Sequence, residues 1–140
     1  MPDDGLICRQ IVYQHRGGPQ VFDGLDACFP RRSMTLVTGS TGIGKSTLLH
    51  LLGGLLRPTS GEILVGGKSV SRWRTVHLDR WRRQVGYLFQ HLHLIHELTV
   101  LDNVVLPLVP LQTTWSQCLA RAEAILEHFN HIHTFGRDNH

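Results

Sequence analysis

The chain has 140 residues, of which 41% are hydrophobic and 18% are charged, a balance typical of globular proteins rather than of disordered or fibrous ones. Its formal net charge of +3 at pH 7 suits anionic ligands but is too small to indicate nucleic acid binding. The three cysteines form no CxxC pair, which argues against a zinc cluster or a disulfide framework and favours a reducing compartment. No apolar run approaches the roughly 20 residues of a membrane span, and the acidic start is unlike a secretory signal. We therefore expect a soluble protein that is not exported.

Short strands and turns precede a helix in the first part of the chain. Leu6 to Tyr13 and Leu25 to Phe29 are predicted strands of a small antiparallel layer, separated by the turn-rich residues 15–19. Met34 to Thr38 is rich in β-forming residues and polar only in its threonines, which predicts a strand covered on both faces. A glycine-rich loop follows, and Lys45 to Leu52 is predicted to be helical.

The second part of the chain continues with further predicted strands and helices. Glu62 to Val65 is predicted as a strand, Val76 to Arg83 as a helix, and Val85 to Phe89 as a second buried strand. Thr99, with Asp102 three residues later, resembles a capping box that opens a short helix. A last amphipathic helix is predicted from Thr114, with apolar residues at helical spacing: Trp115, Cys118, Leu119, Ala122, Ile125, Leu126 and Phe129.

The glycine-rich loop carries the strongest chemical signal. Residues 39–46 read GSTGIGKS and satisfy the pattern GxxxxGK[ST] between a predicted strand and a predicted helix, which is the context that a phosphate-binding loop requires. The glycines let the backbone wrap with its N–H groups inward, and the following helix directs its positive dipole end at the anion. Lys45 is expected between the β and γ phosphates, Ser46 on Mg²⁺, and Thr47 on the α phosphate. The candidate nucleotide-binding residues here are Gly39, Ser40, Thr41, Gly42, Ile43, Gly44, Lys45, Ser46 and Thr47. The weaker alternative is a plain glycine-rich turn with a solvated lysine.

The residues after the loop resemble one family. The segments LLGGLLRPTSGEI at 51–63, VGYLFQ at 85–90 and LIHELTVLDNVVL at 94–106 are similar, in order and spacing, to segments of the ATP-binding-cassette (ABC) ATPases. The likeness covers almost the whole chain. Within the family, residues 48–55 and 103–108 look most like the subgroup that serves lipoprotein release, macrolide export and cell division.

The resemblance implies a fold and a set of roles. The fold would be α/β: a P-loop NTPase core with a partial sheet, an antiparallel β layer and the start of a helical subdomain. Residues 1–98 would form the core through the Q-loop, and residues 99–140 the beginning of the helical subdomain. Gln90 would join Lys45 as a catalytic residue, in the Mg²⁺ shell and near the γ phosphate. Tyr13 occupies the position of an aromatic residue that stacks on adenine, and packing alone is an equal alternative for a tyrosine at a strand end.

Several family motifs are not found in these 140 residues. They are the signature, usually LSGGQ, the aspartate for Mg²⁺, the glutamate that activates water, and the switch histidine. We therefore expect the front part of a cassette that binds ATP and Mg²⁺ and is inactive in hydrolysis alone. Its implied partners are a second ATP-binding subunit and transmembrane permease subunits at the inner face of the cell membrane, on the cytoplasmic side. A non-catalytic nucleotide-binding or regulatory protein is the alternative, and a P-loop kinase fits the loop alone.

Two further patterns favour ordinary surface roles. Six basic residues and two tryptophans lie between Lys68 and Arg83, a mixture found in some nucleic-acid-binding proteins, but a solvated helix face is the favoured interpretation and nucleic acid is not expected. The histidines of the second half have no metal-site spacing and are expected to be loop residues.

Overall fold

The computed structural model describes residues 5–91, 93–111 and 114–135. The chain divides into two compact units, one ending at Tyr87 and the other beginning at Leu88. The functional division predicted between residues 98 and 99 stays a prediction.

Four antiparallel strands form the sheet of the first unit. They are β1 (Leu6–Gln14), β2 (Gln20–Phe29), β3 (Ser60–Val65) and β4 (Lys68–Ser69), in the spatial order β2-β1-β3-β4. Cys8 at the centre of β1 pairs with Ala27 on β2 and with Ile63 on β3. The predicted antiparallel layer is therefore confirmed, and β2 begins earlier than predicted.

β1 carries a bulge that depends on a glycine of its neighbour. Its register shifts beyond Cys8 against both adjacent strands, and Gln10 has a positive φ of 48°. The backbone N–H of Gln10 donates to the Asp26 carboxylate at 2.9 Å. A Cβ at Gly61, whose φ is +82°, would lie 2.2 Å from the Gln10 carbonyl oxygen. Only glycine therefore lets β3 approach the bulge this closely.

Helix α1 (Lys45–Leu52) covers the sheet and completes the core. Leu48, Leu51 and Leu52 recur at helical spacing and are buried. The core cluster consists of Cys8, Ile11, Tyr13, Leu48, Leu51, Leu52, Ile63 and Val70. Burial, reinforced by the charge of Asp26, raises the pKa of the Cys8 thiol from 9.0 to about 11.

Two predicted strands are not strands in the structure. Met34 to Thr38 belongs to no sheet, and Met34 and Leu36 are 99% and 82% exposed. Val85 to Phe89 is also outside the sheet, with Leu88 87% exposed. A strand forms only when a neighbour takes up its backbone N–H and C=O groups. Within the part of the chain that the structure describes, no strand pairs with either run.

Helix α2 (Thr75–Arg82) follows a short 3₁₀ turn, Val70–Arg72, and matches the predicted helix to within one residue at each end. Leu78 is its buried residue. Arg82 joins it to the segment after α1, because its Nε donates to the Gly54 carbonyl at 2.8 Å while its guanidinium pairs with Asp79 at 2.8 Å.

The second unit consists of α3 (Val100–Val105), a 3₁₀ segment (Leu106–Leu111) and α4 (Trp115–Phe135). The predicted capping box at the start of α3 is confirmed, since Thr99 Oγ1 accepts from the Asp102 N–H at 3.1 Å and the Asp102 carboxylate accepts from the Thr99 N–H at 3.2 Å.

The predicted amphipathic helix is also observed, as α4, but its apolar face is only partly covered. Cys118 and Ala122 are buried against Val105, whereas Trp115 and Phe129 are 60% and 57% exposed. Among the residues described, no helix is long and apolar enough to cross a membrane.

Candidate nucleotide-binding site

The predicted phosphate loop leads into the first turn of α1. Gly44, the residue before the helix, has φ +106° and ψ 12°, and its carbonyl accepts from the Leu48 N–H at 2.8 Å. A Cβ at this position would lie 2.6 Å from Val21 Cγ1 and 3.1 Å from Phe22 Cζ. Gly39 and Gly42 also have positive φ, at 149° and 84°. The glycines thus permit both the turns of the loop and its close contact with β2.

The Lys45 ammonium lies over the loop that precedes it. Its Nζ donates to the carbonyl oxygens of Gly39 at 2.9 Å and Ser40 at 2.8 Å. An ammonium has three donors, so one remains for a further acceptor after these two bonds. The positive charge is therefore held beside the N-terminus of α1, where backbone N–H groups lack partners within the helix.

The next two residues place hydroxyl groups in the first turn of α1. Ser46 is exposed, and its hydroxyl makes no hydrogen bond to the residues that the structure describes. Thr47 is half-buried, and its Oγ1 lies 3.4 Å from Nε2 of His15. The exposed Ser46 hydroxyl and the retained Lys45 donor match the chemistry of an Mg²⁺-bound phosphate chain. The residues of the site therefore fit both a phosphate chain and Mg²⁺.

The remaining predicted loop residues lie at the surface. Ser40, Thr41 and Ile43 are all exposed, and Ile43 is 58% exposed although its side chain is large. The bulk of Ile43 is consequently directed to the surface rather than into the core.

Tyr13 lies below this surface. Its side chain is 7% exposed and belongs to the core cluster, where its hydroxyl is 3.2 Å from Nδ1 of His15. The two rings meet edge to face, with centroids 4.9 Å apart and planes at 88°. Burial in the core is the packing alternative that the sequence left open. The adenine contact of Tyr13 stays a prediction, and the structure leaves its ring little free surface for it.

Sequence reasoning missed His15, which is exposed between Tyr13 and Thr47. The sequence carries no local signal for this contact, because His15 and Thr47 lie 32 residues apart.

Gln90 belongs to the second unit and is exposed, directly after Phe89. Its predicted role in the Mg²⁺ shell and beside the γ phosphate stays a prediction.

Comparisons with known proteins identify the family of the chain. The family model described as "ABC transporter" matches residues 22–139, which include the whole loop and most of the second unit. The chain belongs to the ABC transporter family. Within that family it is 38% identical over 125 residues to the lipoprotein-releasing system ATP-binding protein LolD of Chromohalobacter salexigens, covering 86% of this chain and 53% of the relative. It is 41% identical over 109 residues to the LolD protein of Xylella fastidiosa, covering 77% of this chain and 45% of the relative.

A solved ABC structure has the same fold. The dimeric ATP-binding cassette MJ0796, in a post-hydrolysis state bound to ADP and Pi, superposes with a TM-score of 0.74 at 25% identity, covering 87% of this chain and 56% of that one. The α/β fold class and the family predicted from the sequence are thus confirmed. The chain spans about half the length of the relatives it matches.

Proposed function

We propose that this chain binds Mg-ATP as the N-terminal part of an ABC transporter ATPase subunit. The observation that carries the proposal is the phosphate loop: three glycines with positive φ and a lysine ammonium held beside the N-terminus of α1. Anions are bound where such a loop, a helix N-terminus and a fixed cation converge. The family to which the chain belongs supports ATP as the ligand.

The metal would be held by the Ser46 hydroxyl, with Gln90 as a second ligand by resemblance. Mg²⁺ supplies charge neutralisation between the phosphates. The protein's own part is to keep the Ser46 oxygen exposed at the first turn of α1 and the Lys45 ammonium bonded to the carbonyls of the loop.

Hydrolysis and transport belong to the complete dimeric domain in this proposal. Lys45 would stabilise charge on the γ phosphate, and Gln90 would relay the nucleotide state to the helical part. The partners would be a second ATP-binding subunit and permease subunits, with the protein peripheral on the cytoplasmic side of the membrane. The LolD relatives, which are named for lipoprotein release, support placing the chain in the subgroup that serves lipoprotein release.

A titration of the full chain with ATP and Mg²⁺ tests the binding. Lys45→Ala removes the fixed ammonium, and a charge-assisted bond to phosphate of this kind corresponds to about 10- to 100-fold in affinity. Lys68→Ala is the matched control, because Lys68 is an exposed lysine on β4. We expect the Kd for ATP to rise only in Lys45→Ala. Equal affinity in all three proteins would refute the role of the loop.

The role of the metal is tested with Ser46→Ala in the presence and absence of Mg²⁺. The metal should strengthen ATP binding in the wild type and strengthen it less in the variant, because a ligand oxygen is lost. The same gain from Mg²⁺ in both proteins would argue against Ser46 as a ligand.

A further inference from the structure

A cavity beside α2 combines aromatic walls with basic groups. Its volume is about 500 Å³. Four of its lining residues follow the spacing i, i+3, i+4 and i+7, so they share one face of α2 and its end. The end of the sheet at β4 and the segment before α2 supply the other two. The lining residues are Lys68, Trp73, His77, Arg80, Trp81 and Gln84, and none of them is acidic.

The cations of this surface have no acidic partner. Lys68, Arg80 and Arg83 are exposed, and none of them forms an ion pair with the residues that the structure describes. Arg80 and Arg83 are three residues apart at the end of α2, a spacing that makes side chains neighbours on a helix. Asp79, the acid beside them in the sequence, already pairs with Arg82 at 2.8 Å. These three cations, called the basic patch below, therefore form a positive surface that the described residues leave unneutralised.

Apolar side chains lie among these charges. Val76, four residues before Arg80 on α2, is 72% exposed. Trp73 and Trp81 are half-buried where they line the cavity. Indole rings and exposed aliphatic groups between cations are typical of protein surfaces that enter the boundary between lipid headgroups and acyl chains.

We infer that the basic patch, with Val76 and the two tryptophans, binds the surface of a membrane that contains anionic phospholipids. Lysine and arginine side chains attract the phosphates of such a surface. A single small anion in the cavity would leave Arg83, which does not line it, without a partner, whereas an extended anionic surface serves all three cations. The inference is independent of the nucleotide site.

Nucleic acid is also an extended anion, but the structure fits it less well. It offers no apolar region to the exposed Val76. Trp81 packs beside the segment after α1, since a Cβ at Gly54 would lie 3.4 Å from its Cδ1, and its indole nitrogen is buried. A ring packed in this way is a poor platform for a base.

Cosedimentation of the full chain with lipid vesicles tests the inference. The wild type should bind vesicles of equal parts phosphatidylglycerol and phosphatidylcholine, and should not bind pure phosphatidylcholine. Replacing Arg80 and Arg83 together by glutamine should weaken this binding about 25-fold, because each cation near an anionic surface corresponds to about fivefold in affinity. The matched control replaces Arg16 and Arg32 by glutamine, which removes the same charge from exposed positions outside the patch. It should keep most of the wild-type affinity.

Tryptophan fluorescence locates the contact. The chain has three tryptophans, and Trp115→Phe leaves only Trp73 and Trp81. Vesicles with phosphatidylglycerol should protect these two rings from quenching by acrylamide. Vesicle binding without protection would overturn the inference, because another surface of the chain would then make the contact.

Three other results would also overturn it. One is equal affinity of the wild type and the Arg80/Arg83 double variant for vesicles with phosphatidylglycerol. Another is equal binding of the wild type to both kinds of vesicle, since the attraction would then not depend on charge. The third is binding to a DNA duplex without binding to vesicles, which would assign the patch to nucleic acid.

Discussion

The contact between the phosphate loop and β2 makes Gly44 the most demanding position of the site. Replacement by alanine has two separate costs. The first is a backbone conformation at φ +106°, which L-residues rarely adopt, worth about 1–3 kcal/mol. The second is a Cβ only 2.6 Å from Val21 Cγ1, and such overpacking typically costs about 1–3 kcal/mol more. Gly44→Ala should therefore lower the free energy of unfolding of the first unit by about 2–6 kcal/mol.

Gly42 provides the matched control for the backbone cost. It has φ +84°, but an added Cβ would meet nothing within 4 Å. Gly42→Ala should therefore cost only the backbone part, about 1–3 kcal/mol. Gly66→Ala, in the turn between β3 and β4, serves as a second control outside the loop, because its φ is +51° and its surroundings are also open.

Urea unfolding followed by circular dichroism gives the free energy of unfolding of each of the three glycine variants. Combining Gly44→Ala with Val21→Ala should recover part of the lost stability. The double variant removes the contact between the new Cβ and Val21 Cγ1 but keeps the backbone cost at position 44. A double-mutant cycle isolates that coupling. If Gly44→Ala is no more destabilising than Gly42→Ala, the contact with Val21 carries no energy and the steric reasoning is wrong.

Two further predictions concern other parts of the chain. Asn103→Ala should destabilise the second unit by about 2 kcal/mol and expose the Ile95 amide to hydrogen exchange, because the Asn103 carboxamide accepts from that amide at 2.9 Å and donates to the carbonyls of Ile95, Leu98 and Thr99. Unchanged exchange at Ile95 would contradict this. For Cys8, the native thiol stays neutral up to a pKa of about 11 while the unfolded thiol ionises at 9.0, so the unfolded state loses its proton first. The free energy of unfolding should thus fall by about 2–3 kcal/mol between about pH 9 and pH 11 in the wild type relative to Cys8→Ala, and parallel curves would show that the burial of this thiol has no such effect.

Features set by neighbouring residues could be predicted from the sequence. The capping box of Thr99 depends on a residue three positions away, and the limits of α2 depend on local spacing, so both were predicted correctly. The conformation of the loop at residues 39–45 also depends on neighbouring residues, the glycines with positive φ and Lys45, while its role in phosphate binding stays a prediction. The contact between His15 and Thr47 was not predicted, because the two residues lie 32 positions apart and meet only in the folded chain.

Strand formation depends instead on distant partners, and this explains the two strands that were wrongly predicted. Residues 34–38 are exposed except for Val37, which is half-buried and packs against the core. Thr35 and Val37 line one side of a cavity of about 620 Å³, and Leu49 and Leu52 of α1 also line it. Residues 34–38 thus have the composition of a strand, but no strand among the described residues pairs with them.

Exposed apolar side chains in a segment with β-forming composition are a recognised site of aggregation. Met34 and Leu36 sit immediately before the phosphate loop, so any strand that came to pair with residues 34–38 would also fix the start of that loop. On physical grounds, then, the pairing of residues 34–38 and the order of the loop from Gly39 should be coupled. A ligand that orders the loop and a strand that covers Leu36 would each favour the other.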